Sequence, residues 1–419
     1  MSSSVQRRLG TPDAVALGLA AMLGTGVFAV WGPAAAAAGH WLPLAVVLAG
    51  VVALCNALST AELAVLHPES GGGYVYGRER LGPAAGRLAG VAFLTGKVSS
   101  AAAAAGVFGA YVLPSGPVPA AIAAIIAGTA LNVAGVRWTA RAAYALVGGI
   151  LAVLLVVVAV GLFGSGGTEV ASAATPEPDP VAVRGGLLGV GTAAGLVFFA
   201  FAGYARIATL GEEVREPRRT LPRAILIALG AALLTYLLVA VALLVGLGPQ
   251  RLATESAPLV ALVDTGRASA VGVLVRVGAA VAAGSAMLTV LIAISRMMLA
   301  MARRRELPAA LSAVGGRDTP WRADVAGGLL AVLTAVLAGP VAAITVSACS
   351  ILVYYAVVNL AALRLSPAQR LWPVGTAVFG LLSCAGLAVL LPVAQVAITA
   401  GVLAVVWTAC TVLPHRTET

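Results

Sequence analysis

The 419-residue sequence predicts an all-α integral membrane protein of twelve transmembrane helices. Three observations carry that expectation. Hydrophobic residues make up 60% of the chain, charged residues only 10%, and mean hydropathy is +1.01, well outside the range of soluble domains. Long apolar runs alternate with short polar connections, and a bilayer core of about 30 Å needs roughly 20 apolar residues per helix. Arginine, finally, falls in every second connection. Helices are the expected element because an open sheet edge has no hydrogen-bond partner in lipid.

The first span, 13–38, follows Arg7 and Arg8; it is too long for a signal-peptide core and has no convincing cleavage site, so it reads as retained. Spans 42–66 and 88–113 follow, the latter carrying "SSAAAAAGVFGAYV", whose small side chains let helix backbones approach closely. Spans 117–136 and 140–164 close the first half, and the acidic loop "TEVASAATPEPDP", residues 168–180, leads to span 186–211. The remainder reads 223–247, 268–302, 323–338, 341–363, 371–391 and 393–413. Connections reach only about 20 residues, so the chain is expected to be a single membrane domain over 1–419.

The net charge of +10 could suggest nucleic acid, but its placement points to a membrane instead. Arg78, Arg80 and Arg87, then Arg137 and Arg141, then Arg215, Arg218, Arg219 and Arg223 mark alternate connections. Arg303, Arg304, Arg305, Arg317 and Arg322, then Arg364 and Arg370, and finally Arg416 continue the series, while the intervening loops hold only Arg184, Arg251 and Arg267. The positive-inside rule then sets both termini in the cytoplasm, at the cytoplasmic membrane, which requires an even number of spans. Cys55, Cys349, Cys384 and Cys410 lie in apolar spans without paired spacing, and His40, His67 and His415 show no ligand pattern, so neither disulfide nor metal site is expected. Nucleophile elbow, phosphate-binding loop and cofactor motif are absent, which argues against an enzyme and implies no cofactor.

Spans 1 and 6 differ from the others. The first contains "AAMLGTGVFAVWG", Ala20 to Gly32, and the sixth "GLVFFAFAGYARIATLGEE", Gly195 to Glu213, each with glycine inside its apolar stretch. Each opens a block of five spans, the pattern of an inverted-repeat transporter with its site at the breaks. Opening at Gly24, Thr25 and Gly26 would free backbone amides and present a half-helix N-terminus, which suits a carboxylate; the Thr25 hydroxyl adds a donor. Opening from Phe201 to Gly203 would release carbonyls able to hold an ammonium group. An anion subsite beside a cation subsite describes an α-amino acid. The plain alternative for each glycine is close packing of helices.

These residues resemble the amino acid, polyamine and organocation transporter superfamily. "LGTGVF" (Leu23 to Phe28) looks like its Gly-Ser/Thr-Gly-Ile-Phe signature, and "PESGGGYVYGRERLG" (Pro68 to Gly82) its Pro-x-x-Gly-Gly-x-Tyr loop. "FFAFAGYARIATLGEEVREPRRTLPRAI" (Phe198 to Ile225) is similar to span 6 and the following loop of bacterial members, and "SRMMLAMARRRELP" (Ser295 to Pro308) to the end of span 8. The resemblance implies a LeuT-like core of two inverted five-helix repeats, about 12–164 and 185–364, with peripheral helices at about 370–413. Carried over by position, it implies a substrate carboxylate on the amides of Gly24, Thr25 and Gly26. An amino group would meet carbonyls around Met22, Phe199, Ala200 and Ala202, and Phe199 would gate the bound substrate.

Lys97 is the only lysine of the chain and lies inside span 3, an expensive position for a charge and therefore a functional candidate. Buried lysines exchange protons readily, so Lys97 is the expected residue of proton coupling. Some superfamily members are thought to use a lysine of span 5, and this sequence has none there. The structural alternative is that Lys97 snorkels or pairs with Glu62. Sodium is the rival coupling ion, with Ser285 and Thr289 four apart on span 8 as candidate ligands, although such hydroxyls usually bond their own helix. Glu212, Glu213 and Glu216 with Arg215, Arg218 and Arg219 read as an ion-pair network, and Asn359 as a helix-to-helix hydrogen bond.

The expected function is secondary active transport of an amino acid by alternating access, with protons as coupling partner, lipid as surroundings and no nucleic acid. The alternatives are a polyamine or organic-cation carrier, an amino acid exporter or exchanger, and, outside transport, a membrane sensor.

Overall fold

The computed structural model describes residues 9–67, 71–135, 140–164, 186–208, 214–264, 269–315 and 319–412. Arg7, Arg8, Pro68, Arg137, Arg184, Glu212, Glu213, Arg267, Arg317, His415, Arg416 and the loop 168–180 lie outside the described residues.

Span 1 is three helices, α1 (Thr11–Met22), α2 (Gly26–Ala29) and α3 (Trp31–Ala38). After it come α4 (Leu42–Leu66), α5 (Gly73–Leu81), α6 (Pro83–Val112), α7 (Pro117–Val133) and α8 (Ala140–Phe163). Span 6 is α9 (Leu187–Phe201), a 3-10 turn at Ala202–Tyr204 and α10 (Ala205–Ala208). The chain continues as α11 (Pro217–Thr254), α12 (Pro258–Asp264), α13 (Ser269–Arg303), α14 (Trp321–Leu337), α15 (Pro340–Leu363), α16 (Val374–Leu390) and α17 (Val393–Val412). Proline opens many of them, as Pro12, Pro43, Pro83, Pro117, Pro217 and Pro340 do, at first-turn positions where its missing amide has no helical partner to lose.

Among the described residues, nine helical stretches are long and apolar enough to cross a membrane, and α7 and α16 are shorter apolar helices. The helix α14 has 17 residues as well. No strand ladder occurs among the described residues; one isolated bridge pairs Leu9 with Val214, and the Arg215 amide donates to the Leu9 carbonyl at 3.0 Å. That bridge ties the start of span 1 to the segment following span 6.

Burial separates centre from periphery. In the most apolar stretch of Leu187–Ile207, 78% is buried, against 17% in Val393–Val412. Helix α6 is the central column, packed against α13 and α15. Its neighbours approach closely because its glycines leave room: a Cβ on Gly96 would lie 2.9 Å from the Ile351 side chain of α15.

Two helices were not expected, the short α12 between spans 7 and 8 and α5. The loop after span 2 folds into α5, which starts where Gly72 takes φ +53°, a left-handed conformation that a side chain disfavours. The amide of Gly73 then donates to the Tyr354 hydroxyl at 2.7 Å, fixing α5 to α15.

Polar side chains inside the bundle are joined across spans. Asn359 Nδ2 donates to Asn56 Oδ1 at 2.7 Å and to its own helix at the Tyr355 carbonyl at 2.9 Å, the helix-to-helix bond expected of Asn359. Asn56 Nδ2 in turn reaches Cys384 Sγ at 3.2 Å, so α4, α15 and α16 meet in one polar node. The charge network expected around Glu216 is reduced, among the described residues, to an exposed Arg219–Glu216 pair at 3.5 Å. A buried carboxylate held by arginine occurs instead at Glu306, with Arg78 Nη1 at 2.6 Å and Arg87 Nε at 3.9 Å. Burial, with Glu306 beside it, holds the nearby Tyr74 phenol well above its usual range, so it stays protonated.

Candidate functional site

The helical hydrogen-bond ladder of span 1 stops where the Leu23 amide meets the Leu19 carbonyl, at 2.7 Å. It resumes with Phe28 to Thr25 at 3.1 Å and Val30 to Gly26 at 3.1 Å. Gly24, Thr25 and Gly26 are buried, and among the described residues their amides find no acceptor. The Thr25 hydroxyl, on a residue only 5% exposed, likewise has no partner. Buried donors are rarely left unmade, so this cluster marks a place for an acceptor that the fold does not supply.

The glycines act through space rather than through unusual torsions. Neither Gly24, Gly26 nor Gly203 has a positive φ, so none is there for a left-handed torsion. A Cβ on Gly26 would stand 2.5 Å from the Ala200 Cα, and one on Gly203 would stand 2.5 Å from the Ala21 carbonyl. The two breaks therefore cross at backbone contact. On the other side of span 1, a Cβ on Gly24 would reach Ala286 of α13 at 2.7 Å.

The break in span 6 lies one residue later than expected, in the 3-10 turn Ala202–Tyr204, and is shallow. The Ala202 amide donates to the carbonyls of Phe198 and Phe199, so the Phe199 carbonyl is already engaged. The carbonyls of Met22 and Ala200 come together on a residue that the sequence reading missed. The Tyr236 hydroxyl of α11 donates to Met22 at 2.5 Å, with the Ala200 carbonyl at 3.1 Å on the same hydroxyl. A phenol carries one proton, so this is a shared bond, and each carbonyl keeps a lone pair. Tyr111 of α6 adds a second such donor, to the Phe28 carbonyl at 3.2 Å. The available signal was a tyrosine centred in an apolar span, since a buried phenol must find an acceptor.

Of the three phenylalanines, Phe198 packs edge-on to Tyr355 at 5.8 Å and Phe201 to Tyr236 at 4.8 Å. Phe199 has no ring partner among the described residues and keeps 8% exposure. Phe199, Ala200, Phe201, Ala202 and Gly203 thus stand at the crossing, but only part of that set offers groups to a ligand.

Lys97 is residue 15 of the 30 in α6, at its midpoint. It is half-buried, with Nζ 5.6 Å from the Phe93 ring centroid. A run of rings leads on from there: Phe93 to Tyr354 at 5.4 Å, Tyr354 to Tyr355 at 5.0 Å, and Tyr355 to Tyr204 at 5.3 Å, where Tyr204 ends the 3-10 turn of span 6. The alternative pairing with Glu62 does not form, because Glu62 Oε1 accepts the amides of Leu371 at 2.7 Å and Trp372 at 2.6 Å. Ser285 and Thr289 donate to the Ala282 and Ser285 carbonyls of their own helix, both at 2.9 Å. No cluster of three or more His, Cys, Asp or Glu able to hold a metal occurs among the described residues.

A bundle of apolar helices with two interrupted spans crossing at a buried donor cluster defines a multi-pass membrane transporter. Residues 13–416 match the amino acid permease family, and the chain belongs to it. It is 47% identical over 406 residues to an uncharacterized transporter of Mycobacterium tuberculosis, covering 96% of this chain and 90% of that one. The inner membrane transport protein YbaT of Escherichia coli is 29% identical over 371 residues, 85% of this chain and 83% of the relative. The branched-chain amino acid permease BcaP of Bacillus subtilis is 28% identical over 347 residues, 76% and 72% of the two chains.

Proposed function

We propose that the protein is a secondary transporter carrying an α-amino acid across the cytoplasmic membrane by alternating access. The observation that carries this reading is the crossing of the two breaks, with the amides of Gly24, Thr25 and Gly26, unpartnered among the described residues, on one side and the carbonyls of Met22 and Ala200 on the other. Amides at a half-helix N-terminus receive the substrate carboxylate, and the Thr25 hydroxyl adds a bond. The ammonium group takes the remaining lone pairs of the Met22 and Ala200 carbonyls. Phe199 closes over the substrate. A preference for an apolar side chain is supported by the branched-chain amino acids for which the permease BcaP of Bacillus subtilis is named and by the small residues Ala200 and Ala202.

In this reading the chain has twelve spans, α7, α14 and α16 included, arranged as two inverted five-helix repeats and two peripheral helices, with both termini cytoplasmic. Lys97 couples transport to protons. Its ammonium is at mid-membrane, where charge is costly, and the ring series through Phe93, Tyr354 and Tyr355 offers a packed route to the second break.

The test is uptake by the purified protein in liposomes, against the twenty amino acids, with and without a proton gradient. Accumulation of one or a few zwitterionic substrates, faster when the outside is acid, is expected. Failure of every amino acid to move or bind overturns the reading. Movement of polyamines instead selects the organic-cation carrier, and exchange indifferent to the gradient removes the proton coupling.

A further inference from the structure

We propose that the chain holds one anionic phospholipid in a groove between α1, α8 and α11, with its headgroup on Arg141 and Arg223. The groove has a volume of about 370 Å³ and is walled by Thr11, Val15 and Leu19 of α1, Tyr144 and Val147 of α8, and Ile227 of α11. Thr11 to Leu19 spans eight helical steps, about 12 Å of helix at about 1.5 Å per step, which fits the upper part of one acyl chain in a leaflet roughly 15 Å deep.

The starts of the three helices meet at one end of this groove. The Tyr144 hydroxyl donates to Asp13 Oδ1 at 3.1 Å, joining α8 to α1. The Leu9 bridge to Val214 and Arg215 brings the start of α11 to the same place. Arg141 precedes Tyr144 by three residues and Arg223 precedes Ile227 by four, so each shares the groove side of its helix, one turn nearer the membrane surface. Both arginines are exposed, and among the described residues neither pairs with a carboxylate. The facing acidic group, Asp13, has its oxygens taken by Tyr144 and, at 2.9 Å, by the Gly10 amide.

An apolar slot under two exposed guanidinium groups fits an acyl chain under a phosphate. Any apolar helix face contacts lipid; concavity together with two aligned cations, unpaired among the described residues, is what makes this position selective, each arginine near an anionic surface contributing roughly fivefold to binding. Because α1 forms one wall, an occupant there favours the present placement of α1 against α8. The site does not depend on the amino acid reading.

Native mass spectrometry of the full chain in detergent, with dioleoyl phosphatidylglycerol competing against dioleoyl phosphatidylcholine, tests it. The protein is expected to retain one phosphatidylglycerol in preference, and the double variant Arg141→Gln with Arg223→Gln to lose about tenfold or more of that preference while still folding. Ile227→Trp, which fills the groove from an exposed position, is expected to lower retention of both lipids. A matched pair away from the groove, Arg303→Gln with Arg322→Gln, is expected to leave the preference unchanged. Equal losses in the two arginine pairs, or an unaltered preference in the groove variants, overturns the proposal.

Discussion

The Tyr236 hydroxyl stands 2.5 Å from the Met22 carbonyl and 3.1 Å from that of Ala200, so one phenol of α11 joins the two interrupted spans. Its ring sits between Phe201, at 4.8 Å, and Trp31, at 6.1 Å, which fixes its direction. A single side chain therefore bridges the two breaks, already in backbone contact, where the ammonium group is proposed to bind.

Tyr236→Phe keeps the ring and removes the shared donor. Two buried carbonyls then lose a partner, at a cost of about 1–3 kcal/mol. We expect a lower melting temperature in detergent and weaker binding of the transported amino acid, both measured on purified protein. Unchanged melting and binding would show that the hydroxyl contributes nothing there.

Gly26→Ala places a methyl 2.5 Å from the Ala200 Cα, a backbone neighbour that cannot rotate away. Overpacking of this kind costs about 1–3 kcal/mol. Gly148→Ala is the reference, because a Cβ there meets nothing within 4 Å, and it is expected to leave stability unchanged or slightly raised. Thermal unfolding of the two variants side by side checks the contrast.

Lys97→Gln removes the only lysine and with it the proposed proton carrier. Proton-driven accumulation should be lost while gradient-free exchange of substrate persists. Lys97→Arg keeps a charge that cannot be given up, so it should also lose pH-dependent uptake. Normal pH-dependent uptake by the glutamine variant would be incompatible with the coupling role.

Arg78→Gln strips Glu306 of its 2.6 Å partner and leaves Arg87 at 3.9 Å. Breaking a fully buried pair costs about 3–5 kcal/mol, and Arg78 is 28% exposed, so about 1–3 kcal/mol is expected. Adding Glu306→Gln to Arg78→Gln should recover part of the loss, since no buried charge is then left unpaired. A double-mutant cycle by thermal unfolding measures the coupling.

Much of the architecture was legible in the sequence because the bilayer acts locally. Apolar runs mark helices one by one, and the glycines of "LGTGVF" and "FFAFAGY" marked the two places where the helices are interrupted. The Asn359 bond was legible too, since an amide in an apolar span needs a partner. Tyr236 was not assigned a role, because its acceptor at Met22 is 214 residues away and no local pattern names it. The same holds for Arg78 and Glu306, which are 228 residues apart. Lys97 was recognised as unusual, but its possible partner Glu62 proved to be held by the backbone at Leu371 and Trp372.

By itself, then, the sequence determined that the chain lives in a membrane, that it is helical, and where its helices break, since hydropathy and glycine content act over one span at a time. Tertiary structure alone decided what the breaks present. It brought Gly26 against Ala200 and Gly203 against Ala21, set the Ala202 amide on the Phe198 and Phe199 carbonyls, placed Tyr236 on Met22 and Ala200, and left the amides of Gly24, Thr25 and Gly26 without a partner among the described residues. The physical reason is that a hydrogen bond is satisfied or left open by whichever group arrives across the bundle, and which group arrives depends on the packing of helices far apart in the chain.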